Sequence, residues 1–308
     1  MTRHGLLDAI GNTPIVRLER LPADGAAEVW VKLEGANPTG SYKDRMALSM
    51  IEEAERSGRL APGQTVVEYT GGSTGSSLAL VCALTGHPLR IVTSDAFASE
   101  KLATMEAFGA DLEVLPSPEG ITPTLIPRLR ERAAQLVEQL GAYATDQFRN
   151  HDMVTGYRRM GEEIADRVGH VDAACFYVGT AGCFLGVTGA LRERFPDLHR
   201  VVVEPEESAV LSGRPPGTHR IEGGGPGFRP EQLVDGSWDE VVTVSTADAF
   251  AMARRLARAE GVFSGPSTGA NVVAALAIAE RLGQGRRVVT AQVDSGLKYL
   301  SGPLYRES

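Results

Sequence analysis

The sequence predicts an α/β fold made of two doubly wound domains with mainly parallel sheets. Short apolar runs rich in valine, leucine and isoleucine alternate along the chain with longer stretches whose apolar residues recur at helical spacing. Alternation of this kind implies parallel sheets covered by helices on both faces. With 308 residues, 43% of them hydrophobic, the chain can bury a sizeable core and has the length of about two domains.

The elements follow from this alternation. The predicted strands are the apolar runs Val29–Glu34, Thr65–Tyr69, Leu89–Thr93, Leu112–Leu115, Ala174–Val178, Val201–Glu204 and Val288–Val293. The predicted helices are the stretches with apolar spacing between them, for example Asp44–Gly58, Ser99–Phe108, Thr122–Leu140, Asp152–Val168 and Ala247–Glu260.

Composition excludes several classes of function. A formal charge of −8 argues against nucleic acid or an anionic membrane as a partner. No stretch approaches the roughly 20 apolar residues of a membrane span, and the first residues lead into no secretory core, so we expect a cytoplasmic protein. Cys82, Cys175 and Cys183 lie in apolar or glycine-rich surroundings and are predicted to be reduced thiols. The six histidines form no close pair with ligand spacing, so no metal site is expected.

Lys43 lies between the strand Val29–Glu34 and the helix that begins at Asp44. A loop that ends a strand and opens a helix points a side chain into the crevice where open α/β sheets bind ligands. An amine held there can lose solvation, lower its pKa and attack a carbonyl to form a Schiff base. The alternative is a solvated lysine in a first helical turn, so the assignment depends on the rest of the chain.

Three glycine-rich loops each open a helix-like run: Thr70–Gly75, Gly179–Cys183 and Ser264–Gly269, the last before a helix predicted to begin near Ala270. Glycine lets the backbone approach a ligand closely, and unpaired amides at a helix N-terminus attract anions, above all phosphate. The alternative is that these glycines mark the tight turns of any doubly wound fold. None of the loops has the P-loop or the dinucleotide-binding pattern, so a different phosphate ligand is indicated.

In their order and in their residues, these segments resemble the cysteine synthase and cystathionine β-synthase family of fold-type II pyridoxal-phosphate enzymes. Ile10–Leu18 is similar to the N-terminal signature of that family, and Asn37–Arg45 to its cofactor-lysine segment. Further similar segments are Asp146–Phe148, Val203–Pro205, Gly223–Phe228 and Asp294–Ser301. The resemblance runs from about residue 7 to the end of the chain.

The resemblance implies pyridoxal 5'-phosphate as the cofactor, bound in a cleft between two domains, with Lys43 as its internal aldimine. The implied phosphate cradle is Gly179, Thr180, Ala181, Gly182 and Cys183. Ser267 would face the pyridine nitrogen, although a serine here could also be the N-cap of the following helix. The implied contacts to the substrate carboxylate are Thr70, Gly71, Gly72, Ser73, Thr74 and Gln147. Ser73 would also face the phenolic oxygen of the cofactor.

The resemblance divides the chain into a smaller domain over residues 39–150, with the substrate-carboxylate loop, and a larger domain of residues 1–38 and 151–308, with the phosphate cradle. It also implies a homodimer. A hydroxyl opposite the pyridine nitrogen does little to keep that nitrogen protonated, which makes the ring a weaker electron sink and favours departure of a leaving group from Cβ. The implied activity is β-replacement on an activated L-serine through an aminoacrylate, as in cysteine biosynthesis.

Two alternatives remain open from the sequence. One is β-elimination, as in a dehydratase or a desulfhydrase. The other is a non-catalytic relative that serves as a binding partner, although retained Lys43 and Ser267 argue against it. The donor could be O-acetylserine, O-phosphoserine or serine, and the nucleophile sulfide, thiosulfate, homocysteine or an amine. Arg220 would suit a phosphorylated donor, and the alternative for it is a surface arginine.

Three positions depart from the family pattern. Gly71 and Ser73 stand where cysteine synthases typically have the serine and the asparagine of T-S-G-N-T-G, and Cys183 stands where a threonine is usual. The segment Tyr157–Gly161 departs as well, because the family often has threonines there, before the helix near residue 160. We expect a roomier loop with fewer hydrogen-bond donors, and backbone amides as the main contacts of the phosphate.

Overall fold

The structure is a computed structural model that describes residues 5–97, 99–119 and 124–306. Its strands are β1 (Ile15–Arg17), β2 (Glu28–Leu33), β3 (Val66–Tyr69), β4 (Leu89–Ser94), β5 (Asp111–Leu115), β6 (Tyr143–Ala144), β7 (Ala173–Tyr177), β8 (His199–Pro205), β9 (Glu240–Val244) and β10 (Arg287–Gln292). Its α-helices are α1 (Lys43–Arg56), α2 (Ser73–Thr85), α3 (Ser99–Ala107), α4 (Leu125–Leu140), α5 (Asp152–Val168), α6 (Gly182–Arg194), α7 (Thr246–Glu260) and α8 (Pro266–Leu282).

The predicted strands are all present, with ends displaced by at most two residues. The predicted helices are present as well, although the first two residues predicted for α4, Thr122 and Pro123, lie outside the described residues. The sequence interpretation missed β1, β6 and β9, and it placed the start of α8 four residues too late, near Ala270 instead of Pro266.

The chain divides into two compact units. Unit one comprises the described parts of Met1–Ile10 and Lys43–Met153, and unit two the described parts of Gly11–Tyr42 and Val154–Ser308. In the described residues each unit has a sheet of mainly parallel strands with helices between them in sequence, so the predicted fold class is confirmed.

Unit one contains a parallel sheet in the order β5-β4-β3-β6. All four residues of β3 are buried, as expected for a central strand covered on both faces. Because β3 and β6 are parallel neighbours, both strands end on the same side of the sheet, and the segments that follow them are Thr70–Gly72 and Thr145–Gln147. Open α/β sheets bind ligands at these carboxyl ends of the strands.

Unit two contains a sheet in the order β1-β2-β10-β7-β8-β9, antiparallel only where the short edge strand β1 meets β2. Its core is formed by apolar residues of β2, β7, β8 and β10 and of α7 and α8. Helix α8 packs against β7 and β10. The residues after β7 and β10 therefore leave the sheet side by side, next to the start of α8.

No helix in the described ranges combines the length and the apolar character needed to cross a bilayer.

Candidate active site

The predicted phosphate cradle is a helix N-terminus in unit two. Gly179–Ala181 connects β7 to α6, and Ala181, the N-cap residue, has a left-handed backbone with a φ of 70°. The N-cap residue Ala181 makes no side-chain cap, and the first amides of a helix have no partner within the helix itself. A Cβ added to Gly179 would lie 2.7 Å from the carbonyl oxygen of Gly223, which explains the absence of a side chain there. The amides and the helix dipole together favour an anion.

Ser267 lies in the first turn of α8, behind Pro266. Gly265 is the N-cap residue, so the alternative interpretation of Ser267 as N-cap is wrong. Its side chain is buried, with 1% exposed, and its Oγ has no hydrogen-bond partner among the described residues. A buried hydroxyl without a partner costs about 1–3 kcal/mol. A hydroxyl of this kind at a helix N-terminus can form a hydrogen bond to a bound ligand.

Helix α8 is held rigidly against the sheet one turn after Ser267. Asn271 accepts a hydrogen bond from the Tyr177 amide through Oδ1 at 2.6 Å and donates through Nδ2 to the Ala291 carbonyl at 2.9 Å. Tyr177 is the last residue of β7, two residues before the cradle. Its hydroxyl donates to the Ile221 carbonyl at 3.0 Å. These bonds fix the buried serine and the cradle in one rigid part of unit two.

The chain before Lys43 is anchored at the same place. The Tyr42 amide donates to the carbonyl oxygen of Val293 at 3.0 Å, and the amide of Val293 donates to Thr268 Oγ1 at 3.0 Å. Val293, directly after β10, thus binds both the residue before Lys43 and the residue after Ser267. The ring of Tyr42 packs on Tyr157 with 5.4 Å between centroids. Burial raises the pKa of Tyr42 well above its usual value, so its phenol stays neutral.

Lys43 is the first residue of α1, and its side chain is buried, with 7% exposed. The next residue, Asp44, accepts a hydrogen bond at Oδ1 from Ser77 Oγ of α2 at 2.6 Å. Helix α2 begins at Ser73 directly after the glycine-rich loop. The start of α1 is therefore fixed to that helix.

The predicted substrate residues of unit one meet at this loop. Thr74 Oγ1 donates to Gln147 Oε1 at 2.9 Å, and the Gly72 amide donates to Thr70 Oγ1 at 3.2 Å. The N-cap residue of α2 is Gly72, which has no side chain to cap the first turn. The amide group of Gln147 and the first turn of α2 can therefore bind a carboxylate together.

Glu68 is a functional candidate that the sequence interpretation missed. This last-but-one residue of β3 is 1% exposed. Its Oε2 accepts hydrogen bonds from Thr145 Oγ1 at 2.7 Å and from the Gln147 amide at 3.2 Å, and its Oε1 accepts from the Tyr69 amide at 2.9 Å. Asp146, which lies between Thr145 and Gln147, has a φ of 39°, which few residues other than glycine adopt. Burial raises the pKa of Glu68 to about 7.

The other predicted features are found as follows. Cys82, Cys175 and Cys183 are buried free thiols, and burial raises the pKa of Cys82 to about 12. Arg220 is exposed at the surface, its guanidinium 5.7 Å from the centroid of the Phe250 ring, as its alternative interpretation predicts. Over the described residues no group of three or more histidine, cysteine or acidic side chains could hold a metal ion.

Comparison with known proteins defines the family. The sequence matches the family described as pyridoxal-phosphate dependent enzyme over residues 6–292. It is 39% identical to the cysteine synthase of Staphylococcus aureus over 302 residues, 96% of this chain and 95% of that protein. The alignment with the crystal structure of O-ureido-L-serine synthase covers 99% of this chain and 96% of that chain, with a TM-score of 0.92 and 35% identity. The alignment with the crystal structure of O-acetylserine sulfhydrylase isoform 3 from Entamoeba histolytica covers 100% of this chain and 93% of that chain, with a TM-score of 0.93 and 34% identity.

The fold and these comparisons define an α/β enzyme that depends on pyridoxal phosphate. The chain belongs to the pyridoxal-phosphate-dependent enzyme family and, within it, to the cysteine synthase group. The predicted cofactor, pyridoxal 5'-phosphate, and the predicted enzyme class with β-replacement chemistry are confirmed.

Proposed function

We propose that this chain transfers a small nucleophile to Cβ of an activated L-serine. In this proposal the cofactor is held by Lys43, Ser73, Gly179, Thr180, Ala181, Gly182, Cys183 and Ser267. The amino acid is held by Thr70, Gly71, Gly72, Ser73, Thr74 and Gln147. The observation that carries the proposal is the buried Ser267 hydroxyl without a partner, anchored through Val293 to the residue before Lys43.

The residues fit pyridoxal phosphate in three respects. The N-terminus of α6 suits its phosphate. Backbone amides there can bind the phosphate, although Cys183 stands where a threonine is usual. The Ser267 hydroxyl suits a pyridine nitrogen, since it can donate to a neutral ring nitrogen. Lys43 is a buried primary amine, the group that condenses with an aldehyde.

The reaction requires the protein to control protons and orientation. When bound, pyridoxal phosphate supplies an electron sink for the charge that develops at Cα as the leaving group departs from Cβ. Lys43 acts as the base that takes the Cα proton. Gln147 and the first turn of α2 hold the carboxylate, which fixes the Cα–H bond relative to Lys43. Because Ser267 is uncharged, it leaves the ring nitrogen neutral and favours loss of the leaving group over transamination.

The substrates are best identified with a panel of donors and nucleophiles. We propose O-acetylserine or O-phosphoserine as donor and sulfide or another small nucleophile as acceptor, and a homodimer as the active form. Purified enzyme is incubated with each donor, O-acetylserine, O-phosphoserine or serine, with and without sulfide, thiosulfate, homocysteine or an amine. Substituted amino-acid product that requires the nucleophile supports replacement. Pyruvate formed without any nucleophile would instead support elimination, and no turnover would support the non-catalytic alternative.

Replacing Ser267 by alanine is expected to affect apoenzyme and holoenzyme in opposite directions. The free energy of unfolding of the apoenzyme should rise by about 1 kcal/mol, because a buried polar group without a partner is removed. Binding of pyridoxal phosphate should weaken about five- to tenfold, because the ring nitrogen loses its donor. Urea denaturation of both forms and cofactor titration by fluorescence measure the two effects.

Ser208 provides a matched control. It is also a buried serine of unit two whose hydroxyl has no partner among the described residues. Ser208→Ala should stabilise both forms equally and leave the affinity for the cofactor unchanged. If Ser267→Ala destabilises the apoenzyme or binds cofactor as well as the parent does, the assignment of Ser267 is wrong.

A further inference from the structure

The glycine at position 71 is not required by the backbone. Gly71 does not have a positive φ, so its conformation would accept a side chain. A Cβ added there, however, would lie 2.0 Å from Cγ and Cδ2 of Phe97 and 2.3 Å from Cδ1. These atoms belong to the rigid inner part of the ring. Phe97 therefore occupies the space in which the family pattern has the side chain of a serine.

The ring cannot easily leave this position. Phe97 lies in a tight turn after β4, where its amide donates to the Ser94 carbonyl at 3.2 Å and the Ala96 amide donates to Ser94 Oγ at 3.3 Å. The ring packs against a core cluster of unit one, made of Val67, Tyr69, Val92, Leu125, Leu129, Ala133 and Leu136. It is half-buried, so part of it faces the loop from outside the core.

The neighbouring position in the loop, Gly72, is open. A Cβ added to Gly72 would meet no atom within 4 Å. The ring thus covers the loop at Gly71 and leaves room for a ligand at Gly72, next to the first turn of α2.

We propose that Phe97 is a further binding residue for the amino-acid donor, with its ring acting as an apolar wall in place of a serine hydroxyl. The proposal rests on the proposed function, in which this loop binds the α-carboxylate. The ligand class is an L-α-amino acid with a free carboxylate. Without a hydroxyl at position 71, the carboxylate is held by the other groups of the loop, which are its backbone amides and the hydroxyls of Thr70, Ser73 and Thr74, together with Gln147. The ring keeps water away from these hydrogen bonds, which strengthens them in the lower local dielectric.

Kinetics of the holoenzyme with its best donor, across four variants, test the proposal. Phe97→Ala should raise KM for the donor about tenfold while kcat changes less than about threefold, because water then competes for the carboxylate contacts. Phe97→Leu keeps an apolar wall and should raise KM less than about threefold. Gly71→Ser with Phe97→Ala restores a hydroxyl donor and should recover most of the lost affinity. An unchanged KM in Phe97→Ala, or a double variant no better than Phe97→Ala, would overturn the proposal.

Urea denaturation of the same holoenzymes separates the geometry from the function. Gly71→Ser alone should lower the unfolding midpoint, and Phe97→Ala should relieve that loss in the double variant, since the two positions compete for one space. Gly72→Ala is the matched glycine control and should unfold near the parent midpoint. If the parent turns over no donor, the proposed function fails while this coupling still stands. If the parent is active and KM is insensitive to Phe97, only the role of Phe97 in donor binding fails.

Discussion

Replacing Lys43 by alanine is expected to reduce kcat for the donor on the order of 10³-fold, because the variant lacks the base for the Cα proton. The covalent link between enzyme and cofactor should disappear at the same time. Borohydride reduction followed by peptide mass mapping measures the link, and initial rates with saturating donor measure kcat. Added methylamine should restore part of the activity, since a small amine can take the place of the missing side chain.

The chain offers a clear control for this experiment. It contains four lysines, Lys32, Lys43, Lys101 and Lys298. Lys32 is buried and forms an ion pair with Glu163 at 2.7 Å, so its amine is already engaged in unit two. Lys298→Ala should leave the adduct in place at position 43. A pyridoxyl adduct on any lysine other than Lys43 would refute the assignment on which the proposed mechanism depends.

Local patterns in the sequence carry most of the fold. A mostly apolar run such as Val66–Tyr69 predicts a central parallel strand. All four of its residues are buried in the structure. The missed strands β1 and β6 have three and two residues, too few to show a pattern. Strand β9 lies at the edge of its sheet, and four of its five residues are only half-buried. Its three valines do form a strand-like run, which the sequence interpretation overlooked.

The site could be predicted only where its function depends on short segments. The loop before Lys43 and the proposed cradle before α6 are each contiguous segments, and their glycines are visible in the sequence. The position of Ser267 was predicted, but its place in the helix was not, because the cap depends on Gly265 and on the start of α8. The overlap of Phe97 with the Cβ position of Gly71 joins residues from different loops, and no local pattern reports such a contact.

Glu68 combines both situations. A carboxylate inside an apolar strand is visible in the sequence and marks an unusual position, since glutamate is rarely buried without partners. Its partners on the Thr145–Gln147 segment become neighbours only through the pairing of β3 with β6. The buried acid thereby holds the backbone that carries Gln147, and through Gln147 it orients Thr74.

Glu68→Gln is expected to stabilise the protein increasingly as the pH rises. Burial raises the pKa of Glu68 to about 7 from an ordinary value of 4.5. Between these values the folded enzyme binds more protons than the unfolded chain, so the free energy of unfolding falls as pH rises through this window, by about 3 kcal/mol in total. The neutral glutamine removes this loss. Its NH₂ group cannot accept from the Tyr69 amide, which costs about 1 kcal/mol at every pH.

The variant should therefore be about as stable as the parent at pH 5 and more stable by about 2 kcal/mol at pH 8. Urea denaturation of the holoenzymes at pH 5, 6, 7 and 8 gives the difference directly, so that other titrating groups cancel. Glu138→Gln, at an exposed position of α4, is the control and should follow the parent at each pH. A pH-independent difference between Glu68→Gln and the parent would mean that Glu68 is held ionised in the folded state across this range, with its hydrogen bonds outweighing its burial.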